Sequence, residues 1–257
     1  MEYQHISLER EGSFAVVRMC RAKRRNSLSE EHLRELLDAL RSVDASDARG
    51  LILAAEGPVF SAGHDFEDMR ERELDGMRRL FDVCADVMQG IQAIGQPVIA
   101  QVQGLATAAG CQLVASCDLA LAAESARFQV PGGKGGWFCS TPGVALSRAV
   151  GRKHALEMLL TGDPIDAHMA ESWGLVNRVV PDEQLEKETR ALLARATRGS
   201  ALAKRLGKQG FYRHIDLELR SAYDLASEVM AASSQTHDAQ EGMRAFLEKR
   251  TAKFEDR

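Results

Sequence analysis

A chain of 257 residues, 45% of them hydrophobic, has enough apolar material for one large domain, or one domain with an appendage. Its 33 basic and 37 acidic residues leave a net charge of −4, and only 5% of residues are aromatic, so neither a global positive field nor a base-stacking surface points to nucleic acid. Five cysteines form no Cys-x-x-Cys pair, no run reaches the roughly eighteen apolar residues of a membrane span, and the acidic N-terminus lacks a signal pattern, so a cytoplasmic protein without disulfides or metal is expected.

Residues 3–19 predict a hairpin turning at Glu11-Gly12, with Phe14-Ala15-Val16-Val17 as its most strand-like part. A basic loop, Arg21 to Arg25, runs into Asn26-Ser27. Ser29 then opens a helix: its hydroxyl can cap, Glu30 and Glu31 favour the dipole, and Leu33, Leu36, Leu37 and Leu40 share a face. Gly50 to Ala55 is the next strand, Gly57-Pro58 breaks it, and Val59 to Asp65 reads as a small-residue loop. Residues 66–94 form one charged amphipathic helical region carried by Met69, Leu80, Val83, Val87 and Ile91.

The stretch Pro97 to Ala123 reads as strand, small-residue turn, short helix and strand. Ala106, Ala108, Ala109 and Gly110 leave the helix start open, where free N–H groups and the helix dipole favour negative charge; a tightly packed turn with no ligand is the alternative. Gly132-Gly133-Lys134-Gly135-Gly136 lacks the spacing of a phosphate loop and suggests a mobile segment. Helices are predicted over 144–150, 153–160 and 166–173, then a strand over 175–180. Strand–helix alternation up to about residue 180 implies βα-type units around a buried sheet. Residues 182–197, 200–211, 216–231 and 237–249 read as helices, the last two carrying more apolar surface than a lone tail needs.

Phe60-Ser61-Ala62-Gly63-His64-Asp65, the run Gly104 to Leu113, and Cys117-Asp118 resemble the crotonase (enoyl-CoA hydratase/isomerase) superfamily. Asn26-Ser27-Leu28, Leu159-Leu160-Thr161-Gly162, Gly174-Leu175-Val176-Asn177 and the ending Glu241 to Arg250 agree, so the likeness covers nearly the whole chain. Phe138 to Leu146 is similar to the subgroup called enoyl-CoA hydratase domain-containing protein three. The resemblance implies an α/β spiral of repeated ββα units over residues 1–195 and a C-terminal helical oligomerisation region over 196–257, assembled as trimers or paired trimers. It implies acyl-CoA or enoyl-CoA thioesters as small-molecule partners, with coenzyme A part of the substrate and no separate cofactor. The thioester oxygen would meet backbone N–H groups of His64 and Ala109, an oxyanion hole that stabilises enolate charge. CoA contacts would fall on Lys23, Arg24, Arg25, Ala62 and Asp65, and on Phe246 and Lys249 reaching over from a neighbouring subunit. The acyl pocket would involve Trp137, Cys139 and Ser140.

Two departures from the family pattern stand out. Hydration requires a group that activates water and a group that delivers a proton, and hydratases of the family use two glutamates. The first belongs in Gly-Cys-Glu, where this chain has Gly110-Cys111-Gln112, and an amide cannot take a proton. The second follows the proline of Phe-x-x-Pro-Glu, where Phe128-x-x-Pro131 leads to Gly132. A substitute acid–base group is open among His64 and, as a nucleophile, Cys139, Ser140 or Thr141, each weighed against a plain pocket-lining role. Asp65, Glu67 and Asp68 suit loop capping, and Asp118 a structural junction. The implied function is therefore acyl-CoA thioester binding with hydration in question. The alternatives are a noncatalytic binder or subunit, or another crotonase-type reaction such as isomerisation or thioester hydrolysis.

Overall fold

A computed structural model describes residues 3–257. The chain opens with the predicted hairpin, β1 (Ile6–Glu11) and β2 (Phe14–Met19), antiparallel about Gly12. Helix α1 (Glu30–Asp44) follows, capped as expected by Ser29, whose hydroxyl accepts the His32 N–H. Three successive units then repeat one plan. Strand β3 (Gly50–Ala55) is succeeded by β4 (Val59–Ser61), α2 (Phe66–Met69) and α3 (Leu74–Ala93). Next come β5 (Val98–Val102), β6 (Leu105–Thr107) and α4 (Ala109–Ser116), then β7 (Leu119–Ala123), β8 (Arg127–Gln129) and α5 (Ser140–Ala149).

The first strand of each unit enters a six-stranded sheet of order β1-β2-β3-β5-β7-β10, parallel from β2 onward. The second strand enters a four-stranded sheet of order β4-β6-β8-β9. This is the ββα spiral implied by the resemblance. The remaining elements are α6 (Arg152–Thr161), β9 (Ile165–Asp166), α7 (Ala167–Trp173), β10 (Arg178–Val180) and α8 (Leu185–Ala196). Helices α9 (Ala201–His214), α10 (Leu219–Ser233) and α11 (His237–Leu247) complete the chain.

Side chains alternate across a strand, so a sheet covered on both sides needs apolar residues at every position. β3 supplies them: all six of its residues are buried. Val16, Ile52, Ile99 and Leu121 face one layer with Leu185 and Leu193 of α8. Their neighbours Val17, Leu51, Leu53 and Val98 belong to the main core with Leu33, Leu36, Leu80 and Leu113.

The structure differs from the predicted elements at several points, one of them strand β6, which lies inside the run read as a small-residue turn. The helical region 66–94 is broken, because Glu71 adopts φ +67 and no glycine or proline marks the break. Arg72 ties the joint down through Glu30 (2.6 Å) and Asp68 (2.7 Å). Val59 to Ser61 is a strand, not a loop, hidden from pattern reading by its length. The strand expected over 175–180 begins at Arg178, since the Asn177 side chain already accepts the Ala120 N–H that the ladder would use.

Candidate active site

The two small-residue loops meet where the β4 and β6 strands end. Gly63 has φ +80, and a Cβ built on it would lie 2.9 Å from the Ala108 Cβ and 3.2 Å from the Ala109 nitrogen. Glycine is therefore required twice over at that position, by conformation and by space. The Gly63 carbonyl accepts the Leu28 N–H and the Leu28 carbonyl accepts the Asp65 N–H, which holds residue 64 between two anchored neighbours. Ala109 is the first residue of α4, so its N–H is one of the helix's orphan donors. Neither the His64 nor the Ala109 N–H has an acceptor among the described residues. The strained residue is Ala108, not Ala109: it sits at φ +50, ψ −118, a region that glycine favours, while Ala109 is helical.

Several polar side-chain atoms of this part of the chain are buried without protein partners. Both ring nitrogens of His64, Oε1 of Gln112 and Oγ1 of Thr107 are buried without a hydrogen-bond partner. Burial pushes the His64 pKa down, and the nearby Leu28 backbone and Asp68 carboxylate oppose that without a well-formed bond to the ring. The ring meets Phe81 of α3 edge-on at 5.2 Å, and Phe81 in turn meets Trp137 at 5.6 Å. Phe81 is a site residue that the amphipathic pattern missed. It continues the apolar stripe of Met77, Cys84 and Met88 and packs against the core, so in the pattern it reads as one more core residue.

Gly132 has no room for a side chain. A Cβ there would stand 2.2 Å from the Trp137 carbonyl oxygen and 2.6 Å from Cys139 Sγ. Its N–H donates to that sulfur (3.3 Å), and its carbonyl accepts the Trp137 N–H (2.8 Å). Cys139 is buried with its thiol pKa raised by desolvation, which argues against nucleophilic use, whereas Ser140 is exposed at the start of α5.

The basic loop lies against this region, since the Arg25 carbonyl accepts the Ala62 N–H. Lys23 and Arg25 are free of ion pairs among the described residues. Arg24 is not free: it pairs with Asp65 (3.1 Å) and Glu67 (2.6 Å). Asp65 is 5% exposed, caps α2, and accepts from Arg21, Arg24 and Ser27, so its carboxylate orders the loop. Phe246 and Lys249 lie at the end of the chain, Phe246 being 82% exposed on α11, which packs on α9.

Two other polar clusters are self-satisfied. His5, Glu31 and Glu35 bring possible ligand atoms within 4.8 Å of one another. However, both Glu35 oxygens accept backbone N–H groups and His5 pairs with Glu31, so the group closes as an ordinary ion pair. Asp118 accepts from the Val98 N–H, Tyr212 and Lys208, which is the structural junction expected of it.

The chain matches the family described as enoyl-CoA hydratase/isomerase over residues 9–257. The chain belongs to the enoyl-CoA hydratase/isomerase family. Enoyl-CoA hydratase domain-containing protein 3, mitochondrial, of Mus musculus is 47% identical over 230 residues, 89% of this chain and 77% of that protein. The solved enoyl-CoA hydratase of Mycobacterium smegmatis superposes with a TM-score of 0.94 at 44% identity, covering 97% of this chain and 98% of that one. Human enoyl-CoA hydratase domain-containing protein 3 gives 0.93 at 43%, covering 97% and 100%. These likenesses bear out the family and subgroup resemblance and the crotonase fold. They overturn the cytoplasmic expectation: the mouse relative and its frog and human counterparts are named mitochondrial. The expectation rested on cysteine usage, the lack of a membrane-length apolar run and the acidic N-terminus, none of which distinguishes the cytoplasm from the mitochondrial interior. No helix among the described residues is long and apolar enough to cross a membrane.

Proposed function

We propose that this enoyl-CoA hydratase/isomerase family member binds acyl-CoA thioesters, holding the thioester oxygen between the His64 and Ala109 N–H groups, and does not hydrate them by paired carboxylates. The observation that carries this reading is the approach of the two loops, with the Gly63 Cβ position 3.2 Å from the Ala109 nitrogen and both donors unspent. As negative charge develops on a thioester oxygen, two fixed N–H groups at a helix start stabilise it without reorganising. Lys23 and Arg25, unpaired beside Ala62, supply charge for the CoA phosphates.

A noncatalytic binder is the second reading, and Gly132 favours it. The backbone there leaves no space for the carboxylate that hydration requires, so that group was not simply exchanged for another side chain. Copies of the chain are proposed to assemble as trimers or paired trimers through α9 to α11. Melting of the protein with and without crotonyl-CoA tests the binding claim. At about one hundred times the dissociation constant, stabilisation is about 2.7 kcal/mol, a rise of several degrees. An unmoved transition up to millimolar thioester contradicts it.

A further inference from the structure

Resting on that reading, we infer that Trp137 is the residue that selects among acyl groups, acting as a plug that an acyl chain must displace before the thioester reaches the His64–Ala109 donors. The pile His64–Phe81–Trp137 begins at a donor residue and runs outward, each ring meeting the next edge-on at 5.2 and 5.6 Å. It leaves both imidazole nitrogens buried and without partners.

Only the outermost ring is placed to leave. Phe81 lies on the long helix α3, anchored by its buried neighbours Leu80, Val83 and Cys84. Trp137 is 52% exposed and sits at the end of the glycine segment. There a Cβ on Gly136 would meet nothing within 4 Å, and one on Gly135 only the Gly132 oxygen at 3.6 Å. The foot of the segment is fixed by Gly132, held between Cys139 Sγ and the Trp137 N–H, and by the Lys134–Asp163 ion pair. The backbone is thus pinned while the indole has open solvent to turn into. Displacing it forfeits one aromatic contact whatever the acyl length, whereas the gain from burying the chain grows with each methylene. Long acyl groups therefore displace the plug readily and the shortest do not.

The test uses the full chain with Trp173→Phe, leaving Trp137 as the single tryptophan. Acrylamide quenching of its emission is read with free CoA, acetyl-CoA and decanoyl-CoA, and affinities are measured by calorimetry. Decanoyl-CoA is expected to raise quenching about twofold while free CoA leaves it unchanged. Trp137→Ala is expected to tighten thioesters about fivefold relative to free CoA, the fold-change of one lost aromatic contact. Trp137→Phe, which keeps a ring, is expected to stay near the parent. Thioesters that bind with no change in quenching, or a Trp137→Ala that binds them no tighter, overturn the plug while leaving thioester binding standing. Failure of free CoA and every thioester to bind overturns the plug and the underlying reading together.

Discussion

Ala108 carries a conformation that favours glycine, φ +50 and ψ −118, at the turn that aims the Ala109 N–H. Such strain costs about 1–3 kcal/mol, and glycine's extra freedom in the unfolded chain offsets part of its relief. Ala108→Gly should therefore raise the urea midpoint, by about 1 kcal/mol in stability; a lowered midpoint would mean the Cβ packing against Gly63 outweighs the strain. At this scale the sequence was informative about composition and silent about dihedrals. The open run of small residues around Ala109 is legible, but nothing in it marks Ala108 as the position that carries the strain. Phe81 is not distinguished by helix periodicity, because it shares the core-facing stripe with Met77, Cys84 and Met88.

Two elements carry buried titratable groups whose charge state sets stability. His32 of α1 is fully buried, its Nδ1 at 3.1 Å from the Ser27 carbonyl, and desolvation lowers its pKa to about 4. The folded protein therefore keeps it neutral while the unfolded chain protonates it below about 6.5. Stability from this group is full above 6.5 and is lost as pH falls toward 4, a total of about 3 kcal/mol. His32→Asn, which keeps an N–H toward Ser27, should flatten the fall of urea stability over that window. An unchanged pH slope would contradict the assignment. Lys208 of α9 donates to Asp118 (2.7 Å), Ile91 O (2.8 Å) and Gln96 O (2.9 Å) and holds that helix on the sheet. Lys208→Met strands a buried carboxylate and two carbonyls, so a loss of about 3–5 kcal/mol is expected in denaturant titration. Asp118→Asn in addition should recover part of it, a coupling that independent sites would not show. Helices and long strands were legible from capping and period. The three-residue β4 and the Glu71 break were not, since each is set by what it packs on.

At the scale of the whole molecule, α10 has no buried residue, and Leu219, Tyr223 and Met230 are each at least 67% exposed. One chain leaves these apolar faces to water, which favours association. Light scattering should find a mass of three or six chains, and Tyr223→Glu with Met230→Glu should shift it toward one. A monomer from the parent chain at micromolar concentration would contradict the proposed assembly. The spiral was readable because motifs in order along the whole chain fix a family. Location was not, because composition, cysteine count and the lack of a long apolar run do not distinguish one aqueous compartment from another.

The central claim joins a preserved thioester hole to a lost pair of carboxylates, with Gln112 at one position and an unsubstitutable Gly132 at the other. It is tested most directly by following the conjugated double bond of crotonyl-CoA in the ultraviolet, at concentrations that measurably raise the melting temperature. The bond is expected to disappear no faster than at the uncatalysed rate while the thioester is bound. Turnover at about 10 per second, an ordinary enzyme rate, would contradict it.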